Sequence, residues 1–128
     1  MTTKHRPRVY VAGPISTGDV TANVMRAVHI GRSFIDIGLA PLIPHLDYYL
    51  PDREDISWKE WLEVDLPWLR VADAVLRISG ESKGADREVR VARRNDIEVY
   101  HSVTDLCEAL GYTHRLTEGI RQEVARWE

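Results

Sequence analysis

The chain has 128 residues, enough for one domain with a substantial hydrophobic core. Its hydrophobic content of 44% and charged content of 29% are those of an ordinary globular protein. The net charge of -3 argues against a protein that holds nucleic acid by neutralising phosphates. The one cysteine, Cys107, excludes an internal disulfide, and no cysteine spacing typical of a metal site is present.

No apolar run approaches the ~20 residues that cross a membrane, and no signal-peptide pattern is visible. We therefore expect a cytoplasmic protein without a membrane partner. Residues 1–7 are polar and basic, and we expect them to be the flexible start of a single domain that spans residues 1–128.

The first part of the chain predicts a βαβ unit with a right-handed crossover. A short apolar strand is followed by a loop with two glycines and a proline. The next segment has apolar residues at helical spacing and ends at Gly38. The predicted elements are strand 8–12, loop 13–18, a helix from Asp19 or Thr21 to about Ile37, and strand 40–44.

The second part continues the alternation after a polar loop, residues 45–55. Ser57 and Glu60 predict a capping box, and Pro67 predicts a kink or a fresh helix start after Asp65. Asp73 is expected to cap or brace the start of a strand. The remaining elements are that strand, a helix carrying Glu88 in its first turn and ending near Asn95, strand 97–100, helix 104–111 and helix 116–127.

This alternation predicts a three-layer α/β fold, Rossmann-like or flavodoxin-like, with a mostly parallel sheet of four to five strands and helices on both faces. Ligands bind such sheets beyond the carboxyl ends of the strands, where the strand order reverses. The loops 13–18, 45–49 and 80–85 would meet at that edge. The last helix has an apolar stripe that must pack against the domain or a second subunit: Leu116, Ile120, Val124 and Trp127.

Glu88 is the candidate at the centre of that edge. A carboxylate in the first turn of a helix lies in the positive end of the macrodipole, which favours the ionised form expected of a nucleophile or an electrostatic stabiliser. Gly84 and Ala85 on one side and Val91 and Ala92 on the other make its surroundings small or apolar. The plainer alternative is a solvated glutamate among the arginines of the same helix.

The other candidates have structural alternatives too. Loop 13–18 lacks the G-x-G-x-x-G spacing and the Walker ending, so neither dinucleotide binding nor ATP hydrolysis follows from it. Its amides and the hydroxyls of Ser16 and Thr17 could hold a phosphate or sugar hydroxyls, or the loop could be a βα turn without a ligand. As structural residues, Asp65 would be an N-cap, His45 a satisfied loop histidine, Tyr48 and Tyr49 packing residues, and Trp58 and Trp61 core residues.

Four segments occur in an order and at spacings that resemble the nucleoside 2-deoxyribosyltransferase superfamily, which includes the 2'-deoxynucleoside 5'-monophosphate N-hydrolases. They are residues 10–16 (YVAGPIS), 65–69 (DLPWL), 72–75 (ADAV) and 82–88 (SKGADRE). The resemblance covers about residues 9–100.

The resemblance implies a nucleophilic glutamate at Glu88, which attacks the anomeric carbon and expels the base, and an aspartate at Asp65, which helps the base to depart. Ser82 matches the serine with which the monophosphate hydrolases hold a 5'-phosphate, and this favours a nucleotide substrate. Tyr10, Gly13 and Ile15 would line the sugar site, and His45 would flank the base. Ser16 and Gly84 complete the predicted substrate-binding residues.

The implied chemistry passes through an oxocarbenium-like state that a fixed carboxylate traps as a covalent glycosyl-enzyme. Water as acceptor makes a hydrolase and a second base makes a transferase; neither reaction needs a metal or an organic cofactor. The expected partners are a small nucleoside or nucleotide and a second copy of the chain in a homodimer or larger assembly, but not nucleic acid. His101 and Ser102 are candidates for reaching the neighbouring subunit.

Two alternatives belong to other functional classes. Val89-Arg90 follows Glu88 where the family has Leu-Gly or Ile-Gly, and Thr17 lies near the position of a first-loop arginine in the hydrolases. These differences favour a nucleotide-binding or sensing module without turnover, although Lys83 could replace the arginine. A purely structural subunit, assembled through the last helix, is the third hypothesis.

Overall fold

The sheet at the centre of the fold has four parallel strands in the order β2-β1-β3-β4. The computed structural model describes residues 5–128. Val9 pairs with both Pro41 and Ala74, so β1 lies between β2 and β3. The strands are β1 (Arg8–Ala12), β2 (Ala40–Leu42), β3 (Ala74–Arg77) and β4 (Val99–Tyr100). This confirms the predicted α/β class with a parallel sheet.

Residues 5–128 also form five α-helices and three short 3-10 turns; the last two helices and the last turn follow the final strand, and the others connect the strands. Within residues 5–128, none of the helices combines the length and the apolar character needed to cross a membrane. The helices are α1 (Val20–Ile37), α2 (Trp58–Leu69), α3 (Lys83–Arg94), α4 (Val103–Leu110) and α5 (Glu118–Trp127). The 3-10 turns are Pro44–Tyr49, Arg53–Asp55 and Thr113–Arg115.

Two buried clusters cover the opposite faces of the sheet. Side chains alternate between the faces along β1, so Val9 and Val11 pack against α1, α4 and α5. Tyr10 and Ala12 point to the other face and pack against α2 and α3. Because both faces are covered, the strands are continuous apolar runs, and the predicted three layers are confirmed.

The predicted helix caps form largely as expected. Asp19, one of the two candidates, caps α1 by accepting a hydrogen bond from the Ala22 amide. Ser57 and Glu60 form the capping box of α2. Asp73 accepts a hydrogen bond from the Arg8 amide at 2.7 Å, so it braces the start of β1 as well as leading into β3.

Two predictions about helix starts are wrong. Helix α2 does not start afresh after Asp65 but continues through Pro67, which lies in its last turn, to Leu69. Helix α3 begins at Lys83, because the Ser82 hydroxyl caps it by accepting from the Ala85 amide. Residues 83–85 are therefore helical, and Glu88 lies in the second turn instead of the first.

The apolar stripe of the last helix packs inside its own chain. Its four residues belong to the cluster formed by α1 and α4, and the Trp127 ring stacks on His29 at 4.1 Å. Of the two predicted packing partners, the domain itself is the one observed. The apolar stripe through which the structural-subunit hypothesis assembled the protein is thus used within the chain. Ser102 caps α4 by accepting from the Asp105 amide, whereas His101 is exposed.

Phe34 in α1 provides a test of this packing, because it is fully buried and its neighbour Ile35 is 50% exposed. We expect Phe34→Ala to lower the free energy of unfolding by about 3–5 kcal/mol, from lost burial and the remaining cavity. Ile35→Ala, the matched control in the same helix, should change it by about 0.5 kcal/mol or less. Urea unfolding measures both, and equal losses would contradict the assignment of this face of α1 to the core.

Candidate functional site

A cavity of about 450 Å³ opens at the carboxyl ends of β1 and β3. The strand order reverses between these two strands, which is where open α/β sheets bind their ligands. Residues 13–17, the turn Pro44–Tyr49 and the start of α3 contribute to its lining, and α2 contributes Trp58, Trp61, Leu62 and Asp65. The three loops that the sequence placed at one edge therefore meet there.

The structure brings the predicted site residues together. The cavity lining includes Glu88, Asp65, Gly13, Ile15, Ser16, His45, Ser82 and Gly84. Tyr10, the remaining one, does not line this cavity; its hydroxyl donates a hydrogen bond to Oε2 of Glu88, which does. The roles assigned to these side chains remain predictions, but the structure shows that the side chains lie close together.

Glu88 is partly buried, and its surroundings determine its protonation. Burial raises the pKa of its carboxyl group to about 7; the Tyr10 hydrogen bond and the positive charge of Arg77 lower it, and the negative charge of Asp65 raises it. The expectation that the helix dipole holds Glu88 ionised is wrong for the protein without a ligand. In the second turn the dipole is weak, and the effect of desolvation on the pKa is the larger one.

Tyr10 is the donor that orients this carboxyl group. Its side chain is only 1% exposed, and burial, together with the charge of Glu88, raises the pKa of its phenol. The phenol therefore keeps its proton and remains a hydrogen-bond donor at any physiological pH. Since Tyr10 lies within the central strand β1, it holds the Glu88 side chain at a fixed position in the cavity.

Asp65 has an acidic neighbour that sequence reasoning missed, Asp47. Burial raises the pKa of Asp65 to about 6, and the charge of Asp47 and the hydrogen bond to it contribute further. Burial also raises the pKa of Asp47, whereas the hydrogen bond with Asp65 lowers it. When Asp65 is protonated, it is the donor of the hydrogen bond to Asp47.

His45 is buried and neutral. Its Nε2 donates to the Pro14 carbonyl at 3.1 Å, and burial lowers its pKa to about 4 against the opposing effect of backbone hydrogen bonds. The tautomer with a proton on Nε2 leaves a lone pair on Nδ1, which has no hydrogen-bond partner among residues 5–128. The interpretation as a fully satisfied loop histidine is therefore only half correct.

Aromatic and cationic side chains complete the wall of the cavity. Trp58 is 59% exposed, and Trp61 and Tyr48 are partly exposed, so the interpretation of both tryptophans as core residues is wrong. The guanidinium groups of Arg87 and Arg53 lie 5.0 Å and 3.8 Å from the ring centres of Trp58 and Tyr48. Sequence reasoning missed Arg53, which lines the cavity with Lys83.

Arg77 fixes the segment between β3 and α3. Its Nη2 donates to the Gly80 carbonyl at 2.9 Å and to Asp86 at 3.0 Å. Gly80 has φ 123°, and a Cβ there would lie 2.7 Å from Pro14 Cγ, so this contact between the two loops requires glycine. Ser82 accepts from the Ala85 amide at 3.1 Å and keeps its own proton to donate to a ligand.

No metal cluster is visible in this part of the fold. Among the described residues, no group of three or more His, Cys, Asp or Glu side chains is placed to hold a metal ion. The cavity contains the Glu88 carboxyl group with its Tyr10 hydrogen bond, the neighbouring acids Asp47 and Asp65, a further acid, Glu81, aromatic faces, and two cations, Lys83 and Arg53. These groups can bind and polarise a polar ring system that carries an anionic group.

The raised pKa of Glu88 predicts a pH dependence of stability. The unfolded chain loses this proton near the ordinary value of 4.5 and the folded chain near 7, so the contribution of Glu88 to stability is lost as the pH rises through this window. In the Glu88→Gln variant the side chain is neutral at every pH, so the variant does not lose this stability as the pH rises.

We therefore expect the stability difference, Glu88→Gln minus wild type, to rise between about pH 4.5 and 7 and then to level off. Urea unfolding at several pH values measures it, with Glu63→Gln on the exposed side of α2 as the control for a lost surface charge. A difference that is flat over this range would contradict the burial of the Glu88 carboxyl group.

Comparison with known proteins adds a family to this geometry. A family model described as a domain of unknown function, DUF7768, matches residues 7–102. No curated protein matches the chain significantly. The matched range contains all four strands and every residue that lines the cavity, and it ends one residue before α4. The chain thus belongs to the DUF7768 family.

Proposed function

We propose that the protein cleaves or transfers the N-glycosidic bond of a nucleoside or nucleoside 5'-monophosphate, with Glu88 as the nucleophile. The observation that supports this most directly is the hydrogen bond from Tyr10 to Glu88 in a cavity that Asp65 also lines. A cavity of about 450 Å³ has the size of a small-molecule site. The resemblance to the nucleoside 2-deoxyribosyltransferase superfamily gives this carboxylate its proposed role.

In the proposed reaction, a carboxylate oxygen of Glu88 forms a bond to the anomeric carbon while the electron pair of the C–N bond leaves with the base. Asp65 donates its proton to the departing base, which avoids an anionic leaving group. This step needs Glu88 ionised and Asp65 protonated, the reverse of the order of their pKa values of about 7 and about 6. Water or a second base then attacks the anomeric carbon and gives its proton to the Asp65 carboxylate, and Glu88 leaves as a carboxylate. Two displacements at one carbon retain its configuration.

The charges around the cavity suit such a substrate. Positive charge that develops on the sugar would be stabilised by ionised Glu88, and the raised pKa of Asp65, about 6, suits a proton donor to the base. A 5'-phosphate would accept hydrogen bonds from Ser82 and the amides at the start of α3, beside Lys83. The cytoplasmic location and the homo-oligomer expected from the sequence remain predictions.

One observation favours a second candidate, a nucleotide-binding module without turnover. With a pKa of about 7, much of Glu88 is protonated at neutral pH, and a neutral carboxyl group is a poor nucleophile. The Val89-Arg90 pair after Glu88 points the same way. A phosphate anion near Glu88 and the loss of water from the cavity would both raise this pKa further and so favour the neutral form.

Replacing the proposed nucleophile distinguishes the two functions. We expect Glu88→Gln to lower base release by ~10³-fold or more, because the covalent step is lost. Base release is measured over a panel of nucleosides and 5'-monophosphates, with ribose and deoxyribose forms, and Glu63→Gln is the control. Equal rates in Glu88→Gln and wild type would remove Glu88 from the mechanism, and thermal stabilisation without base release would favour the binding module.

Trp58 and Trp68 of α2 test where the base lies. Both are 59% exposed, but Trp58 lines the cavity, as Trp61 does, whereas Trp68 does not. If a base stacks there, a bound nucleotide should quench tryptophan fluorescence in wild type and Trp68→Phe, and clearly less in Trp58→Phe. The same quenching in both variants would show that the base does not contact Trp58.

A further inference from the structure

Helix α3 carries a row of cationic side chains that begins in the cavity. Lys83, Arg87, Arg90 and Arg94 follow one another at intervals of four, three and four residues, so they share one face of the helix. All four are exposed. From the first to the last, the row extends along about 16 Å of helix. We call these four residues the α3 row.

The charge of the α3 row is not neutralised within the described chain. The ion pairs of residues 5–128 are His29–Glu123, Arg32–Asp36 and Arg77–Asp86, and none includes a member of the row. Asp86 lies next to the row, three residues after Lys83 and four before Arg90, and its side chain is 59% exposed, but it pairs with Arg77. The row is therefore a concentrated positive strip on a chain whose net charge is -3.

This arrangement has a cost for the helix. Like charges separated by four residues destabilise an isolated helix by about 0.2–0.5 kcal/mol per pair. Lys83 with Arg87, and Arg90 with Arg94, are two such pairs. A helix face that served only solubility would be more stable with acidic and basic residues in alternation, so the uniform sign calls for an anionic partner.

The row and the cavity are continuous. Lys83 lines the cavity, and the Arg87 guanidinium lies 5.0 Å from the ring centre of Trp58, which lines it as well. A ligand that leaves the cavity between these two side chains meets Arg90 and then Arg94. Exposed aromatic rings beside a cationic strip are the combination with which proteins hold single-stranded nucleic acid without sequence preference.

We propose that the α3 row binds the phosphodiester backbone of a single strand, so that the nucleotide in the cavity is the end of an oligonucleotide. This extends the proposed function, since it rests on a nucleotide as the occupant of the cavity. It departs from the expectation that nucleic acid is excluded, which rested on a net charge that averages over the whole surface. The local charge beside the cavity is positive and favours the binding of an anionic strand.

The test is a binding series with dTMP and oligothymidylates of increasing length, followed by fluorescence anisotropy or titration calorimetry. Affinity should rise with each added phosphate until the row is filled and should then level off. The logarithm of the binding constant should fall against the logarithm of the salt concentration with a slope of about -0.7 for each phosphate neutralised. Four contacts would give a slope of about -2.8.

Two charge-matched double variants isolate the row. Arg90→Gln with Arg94→Gln should make the oligonucleotide slope less steep by about 1.4, and should leave dTMP binding unchanged. Arg93→Gln with Arg126→Gln removes the same charge from exposed positions outside the row and should keep the wild-type slope. Circular dichroism melting confirms that both variants are folded.

Three results would overturn the proposal. They are an affinity that does not depend on oligonucleotide length, equal losses of oligonucleotide affinity in both double variants, or a protein oligomer that dissociates only when the α3 row is changed. The last result, measured by light scattering, would make the α3 row a contact between subunits. Binding of oligonucleotides does not require base release. The binding of oligonucleotides by the α3 row can therefore be confirmed while base release is absent. Base release without length-dependent binding would be the opposite result, and the two measurements distinguish them.

Discussion

The hydrogen bond between Tyr10 and Glu88 connects residues that are 78 positions apart in the chain. A carboxyl group partly removed from water needs a donor, since desolvation of a polar group without one is costly. Tyr10 can be that donor because it is fixed in the middle of β1 and its phenol keeps its proton. The candidate chemistry is thus attached to the most rigid part of the fold and not to a loop.

That attachment depends on the alternation of side chains along β1. Tyr10 faces the layer of α2 and α3, while Val9 and Val11 face α1. A shift of one residue in the pairing of β1 with β3 would turn the phenol to the other layer. The register Tyr10↔Val75 and the brace from Asp73 to the Arg8 amide therefore also set the geometry of the cavity.

The sequence predicts the layers, the parallel sheet and the convergence of three loops, because periodicity and caps such as Asp19 and Ser57 are local signals. It places Glu88 one turn too early, since the start of α3 depends on which of several small residues becomes the cap. Loop 45–49 is placed at the correct edge, but the pairing of Asp47 with Asp65 is missed, and Arg53 is missed because its approach depends on how the irregular segment between β2 and α2 folds back. No local pattern encodes such an approach.

The distribution of charge in the cavity restricts how any nucleotide could bind. Glu88, hydrogen-bonded to Tyr10, and Asp65 line the cavity, and Glu81 lines it directly before Ser82 and Lys83 at the start of α3. In the proposed reaction, the sugar lies near Glu88 and its 5'-phosphate lies at the start of α3. Glu81 opposes Lys83 at that point, so the attraction for a phosphate would come from the helix amides and from the cations that continue along α3.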